Sequence, residues 1–86
     1  MIGGEPYLGM PRPTVPLLLS EEEQEQIDRW LAALGTPQQV ALRCRIVRAA
    51  SLGQAEAAIA AALDTTRPTV RLWKERFAQK GVADLW

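Results

Sequence analysis

The stretch that decides the fold is "QAEAAIAAALDTTRPTVRLWKERFAQKG", residues 54–81. Its first half is rich in alanine, which favours a helix. Its second half carries Val70, Trp73 and Phe77 at the three- and four-residue intervals of one helix face. Between the halves, "DTT" interrupts the pattern and offers Thr66 as the cap of a new helix. The stretch therefore predicts two helices joined by a tight turn.

These two helices match the spacing of a DNA-binding helix-turn-helix. That motif needs an apolar residue followed by a small one in its first helix, and an apolar residue before the turn. It also needs a cap and buried positions four and seven residues beyond the cap. The chain has each required type at the required position, in Ile59, Ala60, Leu63, Thr66, Val70 and Trp73. A helix-turn-helix is predicted at about residues 54–80.

The second helix of the motif separates an apolar face from a cationic one. At about 100° per residue, its apolar residues fall within a ~60° sector. Arg67, Arg71 and Lys74 fall within a second ~60° sector directly beside it. Pro68 lies in the first turn, where the amide hydrogen that it lacks would have no partner within the helix. One face is expected to anchor the helix and the other to reach DNA.

The candidate DNA-binding residues follow from how a recognition helix enters the major groove. Its N-terminal part lies deepest, so base contacts are expected from Thr66, Arg67, Pro68, Arg71, Leu72 and Glu75, and Thr69 is a further candidate DNA-binding residue. Phosphate contacts are expected from Lys74, Arg76 and Lys80. The helix that precedes the helix-turn-helix adds the candidates Arg43, Arg45 and Arg48. The alternatives are that the charges are only solvated and that Arg71 pairs with Glu75. Leu72 has the further alternatives of packing on another helix or on a second copy of the chain.

Two helices are expected before the motif. Residues 1–19 hold four of the six prolines and three of the six glycines, which predicts an extended or disordered arm. Ser20 and Glu23 then form a capping box that opens the first helix. The apolar stripe of that helix is predicted to be Ile27, Trp30, Leu31 and Leu34. Gly35 is predicted to end it.

The second helix is predicted to begin with another capping box. Thr36 is the expected cap, Pro37 the first helical residue and Gln39 the residue that closes the box. Its apolar residues form two lines, Val40, Cys44 and Val47 on one side and Leu42, Ile46 and Ala49 on the other. A helix that is apolar on two sides is typical of the centre of a bundle.

Composition and charge agree with a helical DNA-binding protein. Alanine dominates the 48% of hydrophobic residues and aromatic residues are few, which favours packed helices. The net charge is zero, but residues 1–40 carry a charge of −4 and residues 41–86 a charge of +4. Such an asymmetry indicates a nucleic-acid-binding face on an acidic support. We expect one all-α domain at residues 20–86, a small helical bundle with a homeodomain-like helix-turn-helix.

Several classes of protein are not indicated. The chain has no His, no nucleophile beside a base at a recognisable spacing and no glycine-rich phosphate loop, so no enzyme is expected. The carboxylates of Glu21–Glu23 point around a helix and do not converge, so no metal, cofactor or small-molecule ligand is expected. Cys44 is the only cysteine, which excludes an internal disulfide. The apolar run at residues 16–19 is too short to span a bilayer or to resemble a signal peptide. We expect a cytoplasmic, nucleoid-associated protein that is not bound to a membrane.

From about residue 17 to residue 86 the chain resembles the N-terminal domain of bacterial insertion-sequence transposases related to the mariner superfamily. The resemblance covers about four fifths of the chain and rests on "LSEEEQEQIDRW", "TPQQVALRCRIVRAA", "EAAIAAALDTTRPTVRLWKERF" and "GVADLW". It implies that this region recognises the terminal inverted repeats of a mobile element. It also implies a separate ribonuclease-H-like domain that cuts and joins DNA with an Asp, Asp, Glu triad and two magnesium ions.

The chain departs from that family at the turn and at its end. Members usually carry Gly where this chain has Asp64, an apolar residue where it has Thr65, and Leu-Ser where it has Gln54 and Ala55. Asp tolerates a left-handed turn, but the lost cap and apolar contacts predict a looser motif and weaker binding. The sequence stops at Trp86, before the family's linker and catalytic triad. We therefore expect a fragment of a DDE-type transposase, either an excised domain or the product of a truncated or split element.

Two other functions stay open from the sequence. One is a free-standing helix-turn-helix transcription regulator, because the fold alone does not separate a regulator from a transposase domain. The other is a helical protein-interaction module, with the interface formed by the alanine-rich helix or by Leu72 and Trp86. The expected partner is double-stranded DNA, with a second copy of the chain as an additional candidate.

Overall fold

The computed structural model describes residues 17–86, and in this range the chain forms four α-helices and a short 3-10 turn. The elements are α1 (Glu21–Ala32), α2 (Gln38–Ser51), α3 (Glu56–Ala62), α4 (Arg67–Lys80) and the 3-10 turn (Val82–Leu85). The described residues contain no strand. The predicted all-α bundle is therefore confirmed. No helix in this range is both long enough and apolar enough to cross a membrane.

Helix α1 begins as predicted but ends earlier. The amide of Glu23 donates to Ser20 Oγ at 3.1 Å, and the amide of Ser20 donates to Glu23 Oε1 at 3.0 Å, so the capping box is confirmed. The helix ends at Ala32 because Ala33 takes an extended conformation, with φ −77° and ψ 138°. The prediction that Leu34 continues the buried stripe was wrong. Leu34 lies beyond the helix, where helical spacing no longer directs it inward, and it is fully exposed.

The capping box predicted for the start of α2 is also wrong. Pro37, and not Thr36, occupies the cap position, and no side chain caps this helix. The Thr36 hydroxyl instead donates to the carbonyl oxygen of Trp30 at 2.6 Å. That carbonyl belongs to the last turn of α1, where helical partners are lacking. Thr36 therefore completes the end of one helix rather than the start of the next.

Helix α2 lies at the centre of the bundle, as its two apolar sides predict. It packs against α1, α3, α4 and the 3-10 turn. Its buried residues are Val40, Cys44, Ile46, Val47 and Ala50. The other elements complete the core with Ile27, Ile59, Ala60, Val70, Trp73, Phe77 and Leu85. Gly53, with φ 83°, follows α2 in the left-handed conformation that favours glycine.

The residues before α1 contact the bundle. The amide of Leu17 donates to the carbonyl oxygen of Ala50 at 3.1 Å. Leu17 and Leu19 are partly buried against the core. The rest of the arm predicted at residues 1–19 lies outside the described residues.

Replacing Trp73 should unfold the domain. Its side chain is only 8% exposed, and truncating a buried aromatic residue costs about 3–5 kcal/mol. A domain of this size has little more stability than that. We therefore expect Trp73→Ala to lose the cooperative thermal transition followed by circular dichroism.

Trp86→Ala is the matched control. This tryptophan is more than half exposed and meets Trp30 edge to face, with the ring centroids 5.8 Å apart. Such a pair contributes about 0.5–1.5 kcal/mol, so the control variant should stay folded. A cooperative transition in Trp73→Ala at the wild-type temperature would contradict the role of Trp73.

Candidate nucleic-acid interface

The turn between α3 and α4 has the geometry that the sequence predicts. Asp64 has a φ of 56°, the left-handed conformation that Asp tolerates better than most residues do. The amide of Thr65 donates to the carbonyl oxygen of Ala60 at 2.9 Å, which closes the end of α3. At the start of α3, Ala55 offers no side-chain cap, so the predicted loss of a cap is confirmed. The turn is tight although it contains no glycine.

Thr66 caps α4 at the point where the helix would approach DNA. Its backbone is extended, and its hydroxyl oxygen accepts from the amide of Thr69 at 3.3 Å. The same hydroxyl donates to Thr69 Oγ1 at 2.9 Å. Pro68 follows in the first turn, where an amide hydrogen is not needed. Both threonine hydroxyls are therefore engaged within the protein, and their primary role is to fix the first turn of α4.

The rotation of α4 about its own axis separates a buried face from an exposed one. Val70, Trp73 and Phe77 are buried, which confirms the predicted anchor. The exposed residues of α4 and its cap are Thr66, Arg67, Pro68, Arg71, Leu72, Glu75, Ala78, Gln79 and Lys80. Arg67, Pro68 and Arg71 together line an open groove of about 280 Å³. That the candidates among these exposed residues bind DNA stays a prediction.

Two cations of α4 converge on a carboxylate of α3. Arg71 donates through Nε and Nη2 to Glu56 Oε1, at 3.3 and 3.2 Å. Lys74 Nζ lies 3.5 Å from the other oxygen, Oε2. Arg71 is 59% exposed in this pairing, whereas Lys74 is 18% exposed and Glu56 is 23% exposed. Arg71 thus pairs across the turn rather than with Glu75 on its own helix.

The cations also set the ionisation of Glu56. Partial burial acts to raise the pKa of this carboxyl group. The hydrogen bonds and positive charges of Arg71 and Lys74 act in the opposite direction, and together they hold the pKa below its ordinary value. Glu56 is therefore ionised at neutral pH, and its charge is shared between two cations of the predicted DNA-binding face.

Arg76 and Arg43 serve the core of the bundle. Their guanidinium carbons lie 4.8 and 4.2 Å from the centroid of the Trp73 ring, a cation–π arrangement. Arg76 also donates to both carboxylate oxygens of Asp84, at 2.9 and 3.3 Å. Arg43 donates to the carbonyl oxygen of Leu85 at 3.2 Å. Arg76 thus holds the 3-10 turn against α4 and Arg43 holds it against α2, roles that the sequence did not indicate.

The other two arginines of α2 face α1. Arg48 lies 3.6 Å from Asp28 of α1 in an exposed ion pair. Arg45 lines an open groove of about 560 Å³ together with Trp30 and Leu31 of α1. Helix α1 packs on α2 and the 3-10 turn, away from α3 and α4. The structure therefore does not bring Arg45 or Arg48 together with the cations of α4.

The lone thiol is a core residue and not a reactive one. Cys44 is fully buried in the middle of α2. Burial raises its pKa to about 11, and the charge of Arg45 only partly opposes that effect. The thiol therefore stays protonated at neutral pH.

Sequence reasoning missed Glu56, the residue of α3 that pairs with two cations of α4. It stands 15 residues before Arg71, and no short-range spacing rule connects residues across a turn at that distance. The available signal was that Glu56 is the only carboxylate in the first helix of the predicted motif, opposite an excess of cations in the second.

Comparison with known proteins agrees with the geometry. The profile of a family described as a homeodomain-like domain matches residues 37–86, from the cap of α2 to the last residue. No curated protein and no solved structure matches the chain.

Acid should weaken the α3–α4 contact through Glu56. Because its pKa is lower in the folded chain, Glu56 contributes its full stability above the unfolded value of about 4.3. This contribution is lost as the pH falls through the lower folded pKa. At pH 7, Glu56→Gln should cost about 0.2–1 kcal/mol. Urea unfolding between pH 7 and pH 3 should show the wild type losing this advantage on acidification. A difference between the two proteins that does not change with pH would contradict the assignment.

Proposed function

Because this chain belongs to the homeodomain-like domain family, we propose that it binds double-stranded DNA in a sequence-specific manner. In this proposal α4 is the recognition helix and its N-terminal half lies in the major groove. The chain binds DNA without catalysing a reaction on it.

One observation carries the proposal. The buried stripe of α4 fixes the helix so that Arg67, Pro68 and Arg71 lie together on an exposed groove at its N-terminal end. A guanidinium is the side chain that pairs best with the major-groove edge of guanine, through O6 and N7. Arg67 forms no ion pair with any described residue. Its donors are available to DNA at the position where a recognition helix reads bases.

The C-terminal end of α4 suits contact with the phosphate backbone. Lys80 is exposed and forms no ion pair within the described part of the chain. Arg76, by contrast, is held by Asp84 and by the Trp73 ring. We therefore assign phosphate binding on α4 to Lys80 in the first place, with Arg76 supporting the fold.

The finer role that we propose is recognition of the terminal repeats of a mobile element by the DNA-binding part of a transposase. Its support is the resemblance of the helical stretches to insertion-sequence transposases. A transcription regulator of the same fold would read DNA with the same residues. Matching the bound sequence to its position in the genome separates the two roles, because terminal repeats flank an element whereas operators lie near promoters.

Selection of bound duplexes from a random pool tests the proposal directly. The selected duplex and a scrambled duplex are then titrated with the chain at two or more salt concentrations. We expect a recovered motif and a log–log slope of about −0.9 for each phosphate neutralised. Failure to enrich any duplex, together with no binding at low salt, would overturn the proposal and favour a protein-interaction module.

Two substitutions on α4 should give different signatures. Arg67→Ala should relax the preference at one or two base pairs, at a cost of about 1–3 kcal/mol if the arginine contacts guanine. Lys80→Ala should weaken the selected and scrambled duplexes alike and reduce the salt slope by about 0.9. Titration of both duplexes distinguishes these outcomes. Equal losses on both duplexes for Arg67→Ala would remove this arginine from the base-reading set.

A further inference from the structure

The cluster of Glu56, Arg71 and Lys74 suggests a role for its carboxylate that rests on the proposed DNA binding. We infer that Glu56 is a positioning residue that determines specificity. It orients the Arg71 guanidinium toward a guanine and keeps Lys74 away from the phosphates. Glu56 itself touches no base in this role.

The donor count of Arg71 supports the first part of this role. A guanidinium has five N–H donors, one on Nε and two on each terminal nitrogen. Glu56 Oε1 takes the edge formed by Nε and Nη2. Both hydrogens of Nη1 and the second hydrogen of Nη2 remain. One hydrogen from each terminal nitrogen forms the end-on fork that suits guanine O6 and N7. The pairing therefore fixes the plane of the guanidinium and leaves its base-reading edge free.

Because Glu56 is mostly buried, its carboxylate can hold the Arg71 guanidinium in one orientation. Glu56 lies in the first turn of α3 and is 23% exposed, whereas Arg71 is 59% exposed. Helix α3 packs closely on α4 across the tight turn. An arginine that is already oriented loses less side-chain freedom when it binds a base. Glu56 thereby lowers the entropic cost of the specific contact.

Charge explains why the effect falls on specificity and not on overall affinity. A carboxylate next to two cations cancels part of the field that attracts phosphates. Lys74 is drawn to Glu56 Oε2 and is largely buried, at 18% exposed, which limits its reach toward a DNA backbone. A base edge still gains a two-pronged hydrogen bond from Arg71. The cluster therefore favours a guanine edge over a phosphate.

The test compares Glu56→Gln with the wild type on the duplex selected from a random pool. Each G·C pair of that duplex is replaced in turn, and a scrambled duplex measures non-specific binding. At one G·C pair, we expect the variant's affinity ratio between the selected and the substituted duplex to be about tenfold smaller than that of the wild type. Its affinity for the scrambled duplex should rise, with a salt slope steeper by about 0.9–1.8, as one or two cations become free for phosphates.

Glu25→Gln is the control for charge. It makes the same change at an exposed position of α1 that forms no ion pair with a described residue, and α1 does not pack on α3 or α4. This variant should keep the full base preference. Equal changes of base preference and salt slope in the two variants would show that net charge alone causes them, and this result would overturn the inference.

A double variant separates positioning from a merely structural role. In an Arg71→Ala background, Glu56→Gln should no longer alter the preference at that G·C pair, because Glu56 acts through Arg71. An undiminished effect in this background would overturn the inference, as would a higher preference in Glu56→Gln alone. If Glu56→Gln does not fold, Glu56→Asp keeps the charge, shortens the reach and should lose preference without a steeper salt slope. If the wild type enriches no duplex, the proposed function fails, and the inference fails with it.

Discussion

The structure depends on the rotation of α4 about its own axis. A helix of 14 residues has to supply three large side chains to a small core and present cations on the adjacent face. Burial of Val70, Trp73 and Phe77 selects one rotation, since any other would expose part of that apolar surface to water. The exposed positions follow from this choice. The direction of the cationic face is thus a result of core packing. The same packing constraint determines both the core and the proposed DNA-binding surface.

Half of the charged side chains of α4 have ion-pair partners among the described residues. Arg71 and Lys74 share Glu56, and Arg76 is shared between Asp84 and the Trp73 ring. The carboxylates of these pairs are mostly buried, so the pairs hold the three cations in fixed positions. Arg71 is itself mostly exposed, so the guanidinium edge that does not face Glu56 stays open to a ligand. The pairs therefore keep the unbound surface ordered and lower its positive charge.

The sequence predicts those features that depend on spacing along one helix or on one residue's backbone preference. The capping box at Ser20, the stripe of α4, the left-handed turn at Asp64 and the homeodomain-like helix-turn-helix all belong to this class. Prediction from the sequence fails where one residue can serve either of two helices. Thr36 has the sequence position of a cap for α2, but its hydroxyl donates to the end of α1. Leu34, predicted to continue α1, lies outside that helix and is exposed. The partners of Arg43 and Glu56 lie 42 and 15 residues away, and such contacts appear only once the helices are packed.

The buried thiol gives the bundle a built-in reporter. Cys44 is the only cysteine of the chain, it lies on the central helix, and it is inaccessible and protonated in the folded state. An alkylating reagent can react with it only in molecules whose helices have separated. Its rate of modification therefore measures how often the core opens. The same probe registers any partner that holds the helices together, because a ligand that binds only the folded chain suppresses opening in proportion to its occupancy.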